Sequence, residues 1–254
     1  MLRFEGKVVV VTGAGSGIGE GTARRFSAEG AIVVLVGRHK GPIAKVAQDL
    51  PPERTAVKVA DVSKYRQVEA AIDSTVKRFG RLDVLVNNAG IFKGSSVTRT
   101  KLDEWQEVMD TNAGGVFNGS KAALPHLIRS KGCIVNTASV SGLGGDWSMS
   151  AYNASKGAVV NLTRAMAMDY AKDGVRVNAV CPSLTLTGMT KGMMKDKALL
   201  KKFAERMPLG RTALPADIAG VIAFLASDDA AMVTGVNLPV DGGVTASNGQ
   251  PNMD

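Results

Sequence analysis

The chain has 254 residues, 45% of them hydrophobic, and carries 31 Lys and Arg against 23 Asp and Glu for a net charge of +8. That is enough apolar material for one sizeable core, and two cysteines in apolar segments, Cys133 and Cys181, exclude a disulfide framework and suit a reducing compartment. No signal-peptide apolar segment opens the sequence and no run approaches ~18 apolar residues, so a cytoplasmic protein without a membrane span is expected.

The first apolar β-branched run, residues 7–12, ends in a glycine cluster, after which 20–29 reads as helix. The alternation continues with a strand at 31–36, a helix from Pro42 to Leu50 and a strand at 55–60. Ser63 is then expected to cap the next helix. A fourth strand at 82–86, a long helix over 101–130, a fifth strand at 133–137 and a helix over 150–171 follow. A sixth strand at 175–181, a Met-rich polar segment, a helix over 215–227 and a strand near 236–240 complete the pattern, with an irregular tail over 242–254. Strands apolar on both faces and alternating with helices predict an α/β fold: a single-domain, Rossmann-type, doubly wound parallel sheet of about seven strands.

Two stretches carry chemistry. Thr12 to Gly19, TGAGSGIG, joins strand one to a helix, where backbone N–H groups and the helix dipole hold a pyrophosphate; Gly13, Ser16, Gly17, Ile18 and Gly19 are the contacts expected. Its glycine spacing differs from G-x-G-x-x-G. The second strand ends Gly37-Arg38-His39-Lys40 with no carboxylate, and Arg38 suits a 2′-phosphate, so NADP(H) is favoured over NAD(H). Farther on, Tyr152 and Lys156 stand four residues apart and share a helix face. A fixed ammonium beside a phenol is expected to favour the phenolate and so make the pair a proton-transfer device. The histidines, His39 and His126, are isolated and no metal site is expected.

These motifs occur with others in an order that resembles the short-chain dehydrogenase/reductase family: Asp61-Val62, NNAG at 87–90, Asn112, Ser139 in IVNTASVSG, YNASK at 152–156 and PSLTLT at 182–187. The resemblance runs from about residue 6 to 243. It implies Tyr152 as acid/base, Ser139 hydrogen-bonded to the substrate oxygen, Lys156 on the nicotinamide ribose and Asn112 supporting a water chain. It also implies Asp61 and Val62 at the adenine, Asn88 and Gly90 beside the adenosine ribose, and Pro182 and Thr187 near the nicotinamide. One departure is Ser183, where the family usually has glycine.

The family resemblance further implies a lid over 187–207, a pocket wall near Leu143 and Trp147, and a homotetramer. Met189, Met193 and Met194 are expected as adaptable contacts of that lid, which also carries Lys191, Lys195, Lys197, Lys201, Lys202 and Arg206. The stretches GCIVNTASVSGLGGDW and DGGVTASNGQ look like acetoin reductase/2,3-butanediol dehydrogenase members, so a small, vicinally oxygenated ketone or alcohol is the first substrate class. A 3-oxoacyl-carrier-protein reductase is the alternative, with the basic lid suited to an acidic carrier. A cofactor sensor or a basic nucleic-acid scaffold is the reading of another class. Retention of Ser139, Tyr152, Lys156 and Asn112 favours an enzyme, and scattered basic residues without aromatic interleaving argue against nucleic acid.

Overall fold

The computed structural model describes residues 2–250; residues 251–254 of the expected tail and the Met194 side chain lie outside the described residues. Seven strands form one sheet in the order β3-β2-β1-β4-β5-β6-β7, every neighbouring pair parallel. They are β1 (Val8–Thr12), β2 (Ile32–Gly37), β3 (Thr55–Val59), β4 (Val84–Asn87), β5 (Cys133–Thr137), β6 (Arg176–Pro182) and β7 (Asn237–Val240). Among the described residues the α-helices are α1 (Gly17–Ala28), α2 (Lys40–Gln48), α3 (Tyr65–Phe79), α4 (Leu102–Val108), α5 (Gly115–Ser130), α6 (Ser150–Tyr170), α7 (Lys197–Arg206) and α8 (Pro215–Ala226).

Period-two alternation puts successive side chains of one strand into different layers. Val9 and Val11 of β1 pack with Phe26 of α1 and Ile218 and Ile222 of α8, whereas Val10 faces Ile72 of α3 and Leu127 of α5. Both sheet faces are therefore covered, as the continuous apolar runs predict. Strand order reverses between β1 and β4, and the loops leaving their C-terminal ends diverge to open a crevice there.

Three local expectations change. The helix read over 101–130 is interrupted by a turn of π-helix, Met109–Gly114, between α4 and α5. Asn112 lies in that turn and is tied to the backbone of Ile91 by both ends of its amide, at 2.8 and 3.0 Å. Ser63 is not the cap of α3, which begins after Lys64; the Ser63 hydroxyl is committed to Asp61, 2.8 Å away. The segment read as a polar lid contains α7, whose N-terminus is capped by the Asp196 carboxylate accepting from Leu199 N–H at 3.0 Å. Among the described residues no helix is long and apolar enough to cross a membrane.

Candidate active site

A cleft of about 350 Å³ opens where the strands end. Gly13, Ser16, Gly17, Ile18, Arg38, Asp61, Val62, Asn88, Gly90, Ser139, Tyr152, Lys156, Pro182 and Thr187 all line it. Gly19 and Asn112 stand behind that lining and shape it. Leu143 and Trp147, expected in the pocket wall, do not line it; Trp147 is 93% exposed. Within their loop the Ser141 hydroxyl donates to the Asp146 carboxylate, and the indole of Trp147 stands in solvent.

The glycine turn is shaped by contacts that no side chain would fit. Gly13 and Gly17 have φ of +66° and +56°, and a Cβ on Gly19 would lie 2.2 Å from the Gly13 carbonyl oxygen. Ser16 stands at the N-cap of α1 without a side-chain hydrogen bond to it, so the first N–H groups of the helix face the cleft uncapped. Thr12, which opens the turn in sequence, also holds it: its hydroxyl accepts from the N–H of Asn88 at 2.9 Å and of Ala89 at 3.1 Å. Asn88 completes the clamp by donating to the Thr12 carbonyl at 3.0 Å.

At the adenine end, Asp61 accepts from Ser63 N–H and is held ionised below its usual range; the Ser63 hydrogen bonds and the Arg38 charge outweigh its burial. Arg38 is exposed at the rim and, among the described residues, forms no ion pair.

At the other end, the Ser139 hydroxyl accepts from Ser141 N–H at 3.1 Å and donates toward the Pro182 carbonyl at 3.4 Å. Tyr152 is half-buried beside it, its ring edge-on to Phe92 with centroids 5.2 Å apart. Lys156 is buried, and its Nζ donates to the Thr137 carbonyl at 2.7 Å, lying 5.7 Å from the Tyr152 ring centroid. The expected lowering of the phenol by the lysine does not occur. Burial raises the Tyr152 pKa, the Ser139 hydroxyl draws it back and the Asp146 charge raises it further. Burial brings Lys156 itself down to about 8. Asn112 Nδ2 also donates to Ser155 Oγ at 3.0 Å, fixing α6 against the Ile91 loop.

Ser183 is accommodated without strain, since the described non-glycine residues with positive φ are Lys131 and Ser148. Thr187 is fixed by Thr190, a residue the sequence reading missed. The Thr190 hydroxyl accepts from Thr187 N–H at 3.1 Å and donates to the Thr185 carbonyl at 2.6 Å.

Residues 13–245 match the family model described as enoyl-(acyl carrier protein) reductase. The chain belongs to the short-chain dehydrogenase/reductase family. A meso-2,3-butanediol dehydrogenase of Serratia marcescens is 55% identical over 252 residues, covering 99% of this chain and 100% of that protein. A 3-ketoacyl-(acyl-carrier-protein) reductase of Brucella melitensis, complexed with NADH, superimposes with TM-score 0.88 at 36% identity over 95% of this chain and 99% of the other. A gluconate 5-dehydrogenase of Burkholderia cenocepacia J2315, in complex with NADP and tartrate, does so with TM-score 0.92 at 34% identity over 97% and 98%. This short-chain dehydrogenase/reductase is an oxidoreductase that transfers hydride between a nicotinamide cofactor and a CH–OH or C=O carbon. The uncapped start of α1 and the glycine cradle fit such a dinucleotide.

Proposed function

We propose that the protein interconverts a small vicinal diol and its hydroxyketone, with NADP(H) preferred over NAD(H). The observation that carries the substrate class is full-length similarity to the Serratia marcescens butanediol dehydrogenase, joined to a cleft in which Ser139 and Tyr152 converge. Arg38 at the end of β2, with glycine rather than a carboxylate before it, supports the cofactor preference.

The bound nicotinamide supplies or accepts the hydride. The backbone N–H groups at the start of α1 would hold its pyrophosphate, Asp61 and Val62 its adenine, and Arg38 its 2′-phosphate. Asn88 and Gly90 would border its adenosine ribose, while Lys156, Pro182 and Thr187 would border its nicotinamide end. In the reducing direction negative charge develops on the substrate oxygen. Tyr152 gives that oxygen a proton from its hydroxyl, and Ser139 steadies it with a hydrogen bond from Oγ. Tyr152 is protonated at neutral pH, the form a proton donor needs, and burial raises its pKa further above the ordinary phenol value. Lys156, with a pKa of about 8, exchanges protons near neutrality and restores the one Tyr152 has given. Asn112 positions both through the Ile91 loop and Ser155.

The chain is read as one catalytic domain whose 187–207 segment closes over substrate. It is further read as a cytoplasmic homotetramer, in keeping with the exposed Trp105, Phe117 and Met168 on α4, α5 and α6. The basic exposed face of α7 supports a second reading, reduction of an acyl chain on an acidic carrier. One screen separates them: loss of NADPH and NADH absorbance in parallel with acetoin, diacetyl and acetoacetyl thioesters. Selective turnover of acetoin or diacetyl is expected, and preference for the thioesters would overturn the diol reading. Arg38→Ala is expected to abolish the preference for NADPH; an unchanged preference would remove the argument from Arg38.

A further inference from the structure

The segment between Ser139 and Tyr152 is fixed at three points that the roles above leave unused. A Cβ on Gly142 would lie 2.5 Å from the Lys156 carbonyl oxygen, so the turn after Ser139 is wedged against α6 and cannot move inward. Ser141, buried within this turn, donates its hydroxyl proton to the carboxylate of Asp146, its one partner among the described residues. The Asp146 carbonyl in turn accepts from the side chain of Asn153, neighbour of Tyr152, at 3.1 Å. Between these ties Ser148 adopts φ +55°, a left-handed conformation that a non-glycine residue keeps only where its surroundings impose it.

We propose that Asp146 is a positioning residue for Ser139: its carboxylate holds Ser141, and the Ser141 N–H fixes the direction of the Ser139 hydroxyl. This inference rests on the reading of Ser139 as the group that steadies the substrate oxygen. The Ser141 N–H occupies an acceptor position of Ser139 Oγ at 3.1 Å, which leaves the Ser139 proton to be given away. That proton points toward the Pro182 carbonyl at 3.4 Å, a long and weak bond that a substrate oxygen readily replaces. A carboxylate accepts and never donates when ionised, so the Ser141 hydroxyl cannot turn toward Ser139 and compete for its lone pairs. Asp146 thus ties the direction of one proton in the site to the fold of the loop around it.

The test is steady-state carbonyl reduction, with acetoin first and otherwise the substrate the screen selects. The variants are Asp146→Ala, Asp146→Asn, Ser141→Ala and Ser139→Ala, together with Asp146→Ala in the Ser139→Ala background. Thermal melts and nucleotide affinity check folding for each. Asp146→Ala and Ser141→Ala are expected to lower kcat about tenfold, the worth of one well-placed hydrogen bond, with the nucleotide KM unchanged. Asp146→Asn restores most of that loss, because its amide oxygen still accepts from Ser141. In the Ser139→Ala background the Asp146→Ala effect disappears, since the two act through one group. Full kcat in both Asp146→Ala and Ser141→Ala, or an equal loss with and without Ser139, would overturn the inference while leaving the role of Ser139 intact. Full kcat in Ser139→Ala would overturn that role and the inference with it.

Discussion

Replacing Lys156 by methionine keeps the length of a side chain that is 5% exposed and removes its charge. In the folded chain burial brings this ammonium from its ordinary 10.5 to about 8, with the Thr137 carbonyl 2.7 Å away as its direct hydrogen-bond partner. The unfolded chain keeps the proton up to the ordinary value. Between those two pKa values the unfolded state therefore binds more protons, and stability rises with pH. At about 1.36 kcal/mol per pKa unit, the wild type should gain roughly 2 kcal/mol between about pH 7 and 9.5 that Lys156→Met does not. In a chain of this size that is a change of about 4–8 °C in the Tm difference between the two proteins. Thermal melts of both across this range measure it, and contributions from groups common to both cancel. Parallel Tm curves would mean that Lys156 keeps an ordinary pKa, and its role in restoring the Tyr152 proton near neutrality would fall.

Tyr152→Phe removes the hydroxyl and leaves the edge-on packing against Phe92, so the fold and nucleotide affinity should persist while kcat falls about 10²–10⁴-fold; retained turnover would exclude Tyr152 as the proton donor. Gly19→Ala places a methyl 2.2 Å from the Gly13 carbonyl oxygen and 2.5 Å from the Asn88 amide. Overpacking of about 1–3 kcal/mol that distorts this cradle is expected to weaken NADPH by up to about 5- to 160-fold in a fluorescence titration. Unchanged affinity would mean the cradle does not hold the dinucleotide. Truncation after Gly243 is expected to alter oligomeric state or substrate KM, read by light scattering and kinetics; no change in either would show that the tail contributes to neither.

The sheet was legible because its strands are short β-branched runs bounded by glycine or polar turns, and all seven lie within two residues of where those runs fall. The misplaced edges have tertiary causes. Leu82 and Asp83 read as strand, yet Asp83 uses its carboxylate to accept from Val8 N–H at 2.9 Å and to pair with Arg81, so β4 begins at Val84. The π turn was invisible for a similar reason. Met-Asp-Thr-Asn-Ala-Gly contains weak helix formers, but no residue type marks a π turn; the extra residue there goes with an Asn112 bound to Ile91, a contact across 21 residues.

The same division runs through the site. Tyr152, Lys156 and Arg38 stand out by type and spacing and Ser139 through the family resemblance, whereas the residues that hold the surrounding turns do not. Thr12, Ser141 and Thr190 are hydroxyl residues of ordinary appearance, and their importance lies in partners such as Asn88, 76 residues away. Even the spacing of Tyr152 and Lys156 carries only half of the information. Four residues on a helix guarantee proximity, but the direction of a pKa shift depends on how much water each group loses and where each polar atom points. Here the ammonium turns to the Thr137 carbonyl, so its charge is spent on a backbone acceptor. Burial then governs both groups, and drives their proton affinities apart by raising the phenol and lowering the amine to about 8. Under the proposed mechanism the tyrosine keeps its proton until a substrate oxygen takes it, and the lysine beside it, with the lower pKa, replaces it.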